Sequence, residues 1–310
     1  MAVVTCEHVG IRYITGDFKD IGMKEYVLRR LKGDYHVNEF WADRDISFSL
    51  EEGDMLGIIG TNGAGKSTLL KAVSGIMVPT EGRVRVRGSV AALLELTSGF
   101  DKDLTVRENT YLRGALLGYT RAFMNEKYDE IIQFAELTDF QERPFKQLSS
   151  GMRSRLAFSI ACLVNPDIII LDEVLAVGDG AFRKKSGRKM REILSTGVTG
   201  ILVSHSISQV REMCSRILWL DHGRQITFSD QVELTCDAYE AFLRTKKLPH
   251  GQEEIAQLAQ EQQTYLRLEE EKSRMTEEQR LLAKLCEAGD QAAAKAAEAY
   301  LRSKQPQLLR

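Results

Sequence analysis

An α/β fold is predicted. It has a largely parallel sheet around a phosphate-binding loop, an antiparallel β layer, a helical subdomain and a C-terminal helical tail. Three observations predict it. An apolar run, Met55 to Ile59, passes at once into Gly60-Thr61-Asn62-Gly63-Ala64-Gly65-Lys66-Ser67 and then into helix-compatible residues through Val73. Two further short apolar runs, Ile168 to Leu171 and Gly200 to Val203, read as strands buried on both faces. Between them and the first run, Phe100 to Val164 is mostly helical in its periodicity.

From the N-terminus, Ala2 to Val9 and Asp45 to Leu50 read as strands of the antiparallel layer. The segment from Ile21 to Lys32 places apolar residues at helical spacing beside Lys24, Arg29, Arg30 and Lys32. A basic amphipathic helix of this kind can lie on anionic lipid, against a partner helix, or on its own domain.

The Gly-rich turn fits the pattern G-x-x-x-x-G-K-[ST] in its required strand–loop–helix setting. Glycines let backbone N–H groups turn inward around an anion, and the helix start adds unpaired donors and a positive dipole end. Residues 60 to 68, Gly60 through Thr68, are thus the candidate nucleotide-binding stretch. Lys66 is placed to bridge the β- and γ-phosphates and Ser67 to ligate Mg²⁺. An adenine ring needs an aromatic platform. Tyr13, Tyr35 and Trp41 are the candidates, and Tyr13 best fits a position just after a first strand.

Asp172 closes the run Ile168 to Leu171, where a carboxylate faces the metal side of the loop. Glu173 follows directly, where a general base can polarise water for attack on the γ-phosphate.

The helical stretch divides into Val106 to Leu117, Met124 to Ala135 and Gly151 to Val164, with a break at Asp139 to Pro144. Gly223 marks a tight turn between Ile217 to Leu220 and Gln225 to Phe228. After about Arg244 the composition turns to Glu, Gln, Ala, Leu and Lys, with a thin stripe at Ile255, Leu258, Tyr265 and Leu268. Gly289-Asp290 reads as a helix stop and new cap, with a second helix from Gln291 to Leu301.

Composition sets the outer bounds. The chain has 310 residues, 43% hydrophobic, with 42 basic and 44 acidic residues for a net charge of −2. Nothing in that balance points to nucleic acid. No apolar run approaches the ~20 residues of a membrane helix, and no signal peptide opens the sequence. A membrane role therefore needs a separate permease. The 5 cysteines are scattered and suit a reduced compartment rather than a zinc site or disulfide framework.

Taken in order, these pieces resemble the ATP-binding cassette (ABC) ATPases over about residues 1–245, leaving 246–310 as a charged helical tail. The resemblance implies a P-loop NTPase nucleotide-binding domain: a RecA-like core, an antiparallel β layer and a helical subdomain at about 100–164. Leu148-Ser149-Ser150-Gly151-Met152 is similar to the family signature, usually Ser-Gly-Gly-Gln, with departures at Ser150 and Met152. It implies that Ser149 and Gly151, with Ser150 between them, meet the γ-phosphate from an opposite protomer. His205 in Val203-Ser204-His205-Ser206 matches the family's γ-phosphate-sensing histidine, and Asp179 falls in its dimer-contact loop. Glu95 stands where the family usually has a Gln that touches Mg²⁺ and the transmembrane partner. A Glu can hold a water-bridged Mg²⁺ but adds negative charge near the triphosphate.

Three stretches resemble the branch that exports polysaccharide, O-antigen and teichoic acid: Leu93 to Phe100, Leu104 to Asn109 with Gly114 to Gly118, and Asp172 to Asp179. So does Phe40-Trp41-Ala42 followed by Asp45 to Phe48. That resemblance implies a homodimer binding ATP and Mg²⁺, two copies of an integral-membrane permease, and residence on the cytoplasmic face of a bacterial membrane. It also tilts residues 21–32 toward the membrane entrance. The rival reading is a soluble ABC ATPase of repair, chromosome or ribosome work, whose members usually carry tandem cassettes or very long coiled coils. A simple phosphate-loop kinase has no use for Ser149-Ser150-Gly151.

Overall fold

The computed structural model describes residues 2–15, 38–93, 99–164, 166–172, 179–204 and 206–287, with 295, 296 and 299. Two compact units divide at Glu233 and Leu234. The boundary expected from composition, residue 245, is the end of a helix that begins at Val232.

In the first unit, strands β1 (Ala2–Thr15) and β2 (Asn38–Glu51) form a long antiparallel pair, and β4 (Glu81–Val86) joins the outer edge of β1. Both β1 and β2 run further than the sequence predicts. β1 continues past Val9 and β2 starts at Asn38, so Tyr13 and Trp41 lie in strands.

The other strands are β3 (Met55–Ile59), β5 (Val90–Ala92), β6 (Ile168–Asp172), β7 (Thr199–Val203), β8 (Arg216–Asp221) and β9 (Arg224–Ser229). Among the described residues the sheet has the order β4-β1-β2-β9-β8-β3-β7-β6-β5. Strands β5, β6, β7, β3 and β8 are mutually parallel. β8 turns back into β9 through His222-Gly223, both with positive φ (45° and 72°), as a two-residue hairpin requires.

The apolar runs are explained by coverage of both faces. Ile58, Ile170, Ile201 and Leu218 pack with Leu69 and Leu70 of α1 (Lys66–Val73). Ile169, Leu171 and Leu202 pack on the other side with Phe158 and Phe182. Period-two alternation thus feeds two cores, and a solvated face would have broken the runs with polar residues.

The helical subdomain holds α2 (Val106–Leu116), α3 (Arg121–Ala135) and α4 (Ser150–Leu163) around Val106, Tyr128, Ile131, Phe145, Leu156 and Ile160. Thr105 and Glu108 form a reciprocal capping box on α2. Thr120 caps α3 and starts it three residues before the first apolar-periodic position, Met124. Short 3₁₀ turns at Thr138–Phe140 and Phe145–Gln147 stand at the two ends of the predicted break. The unit continues through α5 (Gly180–Ser195) and α6 (Ile207–Met213).

The second unit contains α7 (Val232–Thr245) and α8 (Gln252–Glu287). Cys236, Ala238 and Ala241 are buried on the first and Ile255, Leu258 and Ala259 on the second. The Arg244 guanidinium lies 4.2 Å from the Tyr265 ring centre, and Gln263 Nε2 donates to Asp237 Oδ2 at 2.9 Å. Only the first half of the predicted stripe is covered: Ile255 and Leu258 are buried, whereas Tyr265 and Leu268 are exposed. The expected stop at Gly289-Asp290 and the helix over 291–301 lie outside the described residues, save 295, 296 and 299. Among the described residues no helix is long and apolar enough to cross a membrane.

Candidate functional site

The phosphate loop joins β3 to α1. Two of its glycines are forced by close approach. A Cβ on Gly60 would stand 2.4 Å from the Leu220 carbonyl oxygen. One on Gly65, whose φ is 104°, would stand 1.9 Å from Asp43 Oδ1 and 2.8 Å from the Ala42 carbonyl oxygen. Gly65 is also the N-cap of α1 and offers its first turn no side-chain acceptor. The start of α1 therefore carries no side-chain cap, and the positive end of its dipole faces the loop.

Lys66 opens α1 and is buried; its Nζ donates to the Gly60 and Thr61 carbonyls at 2.7 and 3.0 Å. The amine therefore spans the mouth of the loop. Asn62, Gly63 and Ser67 are exposed along that mouth, Thr61 and Thr68 half-buried, and Ala64 buried beneath.

Parallel register brings the other strand ends beside this loop. Asp172 pairs with Val203, and Val203 pairs with Ile58, two residues before Gly60. Ligands of open α/β sheets bind at the carboxyl ends of such strands. Of Asp172 only the backbone is described, and Glu173, His205, Glu95, Tyr35, residues 174–178 and residues 21–32 lie outside the described set. On either side of His205, Ser204 Oγ donates to Gln209 Oε1 at 2.8 Å and the Ser206 N–H donates to Ser204 Oγ at 3.0 Å.

The Ser149 hydroxyl caps α4 and accepts from the Met152 N–H at 3.2 Å. Ser150 and Gly151 are exposed at this helix start. A Cβ on Gly151 would meet only Ser149 Oγ, at 4.0 Å, so that backbone is open to approach. Asp179 caps α5 by accepting from the Phe182 N–H at 3.2 Å.

Of the aromatic candidates, Tyr13 is 38% exposed, and its hydroxyl donates to Met77 Sδ at 3.8 Å. Trp41 is half-buried and flanked by the guanidinium groups of Arg12 and Arg44, each 5.5 Å from its ring centre. Phe40, opposite Tyr13 in the β1–β2 register and 60% exposed, is a second free ring that sequence reading did not single out as a platform.

Sequence reading also missed Asp43. It is fully buried beneath Gly65, and neither carboxyl oxygen has a hydrogen-bond partner among the described residues. Burial pushes its carboxyl up to about 7. No local pattern marks it, since exposed Arg44 and Asp45 follow it directly in the same strand. Burial likewise pushes the Cys6 and Cys162 thiols up to about 12, which leaves both inert as nucleophiles.

Mg²⁺ takes hard oxygen donors and keeps few protein ligands. An exposed Ser67 hydroxyl at the start of α1 and a carboxylate residue at the end of β6 suit that chemistry.

The profile of the ABC transporter family matches residues 44–176. The teichoic acids export ATP-binding protein TagH of Bacillus anthracis is 41% identical over 241 residues, 78% of this chain and 43% of that protein. The O-antigen export system ATP-binding protein RfbB of Myxococcus xanthus is 42% identical over 233 residues, 74% of this chain and 53% of that protein. The chain thus spans about half the length of these two relatives. RfbB of Klebsiella pneumoniae is 42% identical over 222 residues, 71% of this chain and 89% of that protein. Among solved structures, an ATP-binding subunit of an ABC transporter superposes with a TM-score of 0.56 at 18% identity, covering 83% of this chain and 99% of its own. A dimeric ATP-binding cassette bound to ADP and Pi superposes at 0.54 and 23%, covering 73% and 97%. With a phosphate loop, strand ends and capped signature helix in this arrangement, and relatives this similar along the cassette, the chain belongs to the ABC transporter family, as an ATP-binding protein of that family.

Proposed function

We propose that this chain is the ATP-hydrolysing subunit of an exporter that moves a lipid-linked surface glycan, of the O-antigen or teichoic-acid class, through a separate permease. The observation that carries it is the 41–42% identity to ATP-binding proteins named for teichoic acid and O-antigen export.

Two copies bind two ATP in composite sites. In each, the loop N–H groups and Lys66 cradle the phosphates, and Lys66 exchanges its bonds to the Gly60 and Thr61 carbonyls for phosphate oxygens. Ser67 and Asp172 would hold Mg²⁺, with Glu95 through water, and the ion would supply positive charge beside the phosphates. Glu173 orients and deprotonates the attacking water, and His205 donates to the γ-phosphate. The second copy contributes Ser149, Ser150 and Gly151 over the γ-phosphate and Asp179 at the dimer contact. The Ser149 hydroxyl can accept from Met152 and still donate its own proton outward. Tyr13 stacks on adenine. Because ATP binds the closed dimer better than the open one, closure does work on two permease subunits, and hydrolysis resets it. Residues 21–32 contact anionic lipid at the cytoplasmic face of a bacterial membrane. Nucleic acid has no part in this reading.

The test is to purify the tagged chain from detergent-solubilised native membranes and identify what accompanies it by mass spectrometry. A stoichiometric polytopic permease with polyprenyl-linked sugar is the expected result. Recovery only with ribosomal or DNA-associated proteins from the soluble fraction would overturn the reading.

A further inference from the structure

Helix α5 carries six cations between positions 183 and 191. They fall into two sets. Lys185 donates to the Phe134 carbonyl and pairs with Glu136, and Lys189 pairs with Glu192. The side chains of Arg183, Lys184, Arg188 and Arg191 make no hydrogen bond or ion pair among the described residues, and all four line one cleft of about 880 Å³.

The set follows the helix surface. Lys184, Arg188 and Arg191 stand at i, i+4 and i+7, and Gly187 between them leaves backbone open to the cleft. The spacing of these charges opposes folding. Like charges at helical spacing repel, and the first turn of α5, which has no acidic residue, sets cations against the positive end of the dipole. Among the described residues that line the cleft, Glu212 of α6 is the one acid. The floor is apolar, with Met55, Met190 and Met213. Gly53 and Met55 place the cleft at the start of β3, the end of that strand opposite the phosphate loop.

We propose that this cleft is an anion site separate from the phosphate loop, for a ligand that carries a diphosphate or polyphosphate beside an apolar part. Three guanidinium forks suit paired phosphate oxygens, and a methionine floor suits an irregular apolar group. The volume lies within the roughly 300–1,000 Å³ usual for small-ligand sites. That chemistry has two sources, a soluble phosphorylated molecule or a phosphate head group at a lipid surface.

The experiment uses the full chain and two probes: inorganic pyrophosphate by isothermal titration, and vesicles holding 30 mol% phosphatidylglycerol by sedimentation. The comparison proteins are Lys66→Ala, which silences the phosphate loop, Arg188→Gln/Arg191→Gln, and Gly187→Glu. The last sets a carboxylate in the cleft while favouring the helix, and circular dichroism of each variant checks that a shared loss is not misfolding. Pyrophosphate binding that persists in Lys66→Ala and weakens at least tenfold in both cleft variants, with Mg-ATP turnover at the wild-type level, supports the site and a soluble source. Vesicle binding that alone weakens tenfold supports a head group. No binding of either probe outside the phosphate loop, or binding untouched by both cleft variants, overturns the proposal.

Discussion

The Asp43 carboxyl lies against Gly65 from below: a Cβ on Gly65 would come within 1.9 Å of Asp43 Oδ1. The phosphate loop therefore rests on a fully buried acid with no partner among the described residues. A buried, unpaired carboxylate is costly, and the group responds by keeping its proton.

That raised value fixes a sign. An unfolded Asp loses its proton near 3.8 and Asp43 in the folded chain near 7, so the folded state binds more protons between those values. Stability therefore falls as pH rises from about 4 to about 7 and levels off above, with a full span of roughly 4 kcal/mol. Asp43→Asn removes this dependence and is the more stable protein at pH 8. Urea unfolding of both proteins at pH 5 and pH 8 measures it; equal differences at the two pH values would refute it.

Gly65→Ala abolishes ATP binding, at least a hundredfold in affinity, and the second change Asp43→Ala does not restore it. The Ala42 carbonyl oxygen would still stand 2.8 Å from the new Cβ, and φ would still be 104°. Fluorescent-nucleotide titration of the single and double variants decides this, and full rescue would mean that the acid alone sets the fit.

The cap that Ser149 makes and the γ-phosphate contact proposed for it are separable. Ser149→Ala removes the cap on α4 and costs about 1 kcal/mol of stability along with ATPase activity. Ser149→Asp keeps a capping oxygen and the stability, yet loses turnover because in the proposed site its charge would face the γ-phosphate. Melting curves beside ATPase rates separate the two, and an active Ser149→Asp protein would remove Ser149 from the site.

Glu173→Gln lowers turnover by roughly 10²–10⁴-fold and leaves ATP binding in place, so the variant accumulates as an ATP-bound dimer. Size-exclusion chromatography with Mg-ATP reads the dimer. Unchanged turnover would move the base elsewhere.

The core was legible wherever one periodicity and one chemistry coincided. The run Met55 to Ile59 followed by Gly60 to Ser67 admits one reading, because a strand, an inward-turning loop and a helix start each leave their own mark. Helix starts were less exact where the cap precedes the apolar stripe, as Thr120 precedes Met124. Asp43 was illegible for a different reason. Its burial arises from Gly65, 22 positions away in sequence, and no local pattern carries a long-range contact. The cations of α5 were visible as charges, but which of them face acids and which face a cleft is set by Glu136, Glu192 and the floor of β3.

Ile58, Val203 and Asp172 stand abreast across three strands, and this has a consequence for how the chain can vary. Each strand advances about 3.3 Å per residue and turns its side chains over at every step. One residue inserted in any of the three would displace its end by that distance and present the wrong face. The sheet thus acts as a ruler on which the candidate site residues are graduated. Changes of length are tolerated between the marks and forbidden on them, so a library of single insertions would map the ruler as three short silent gaps at 55–59, 168–172 and 199–203.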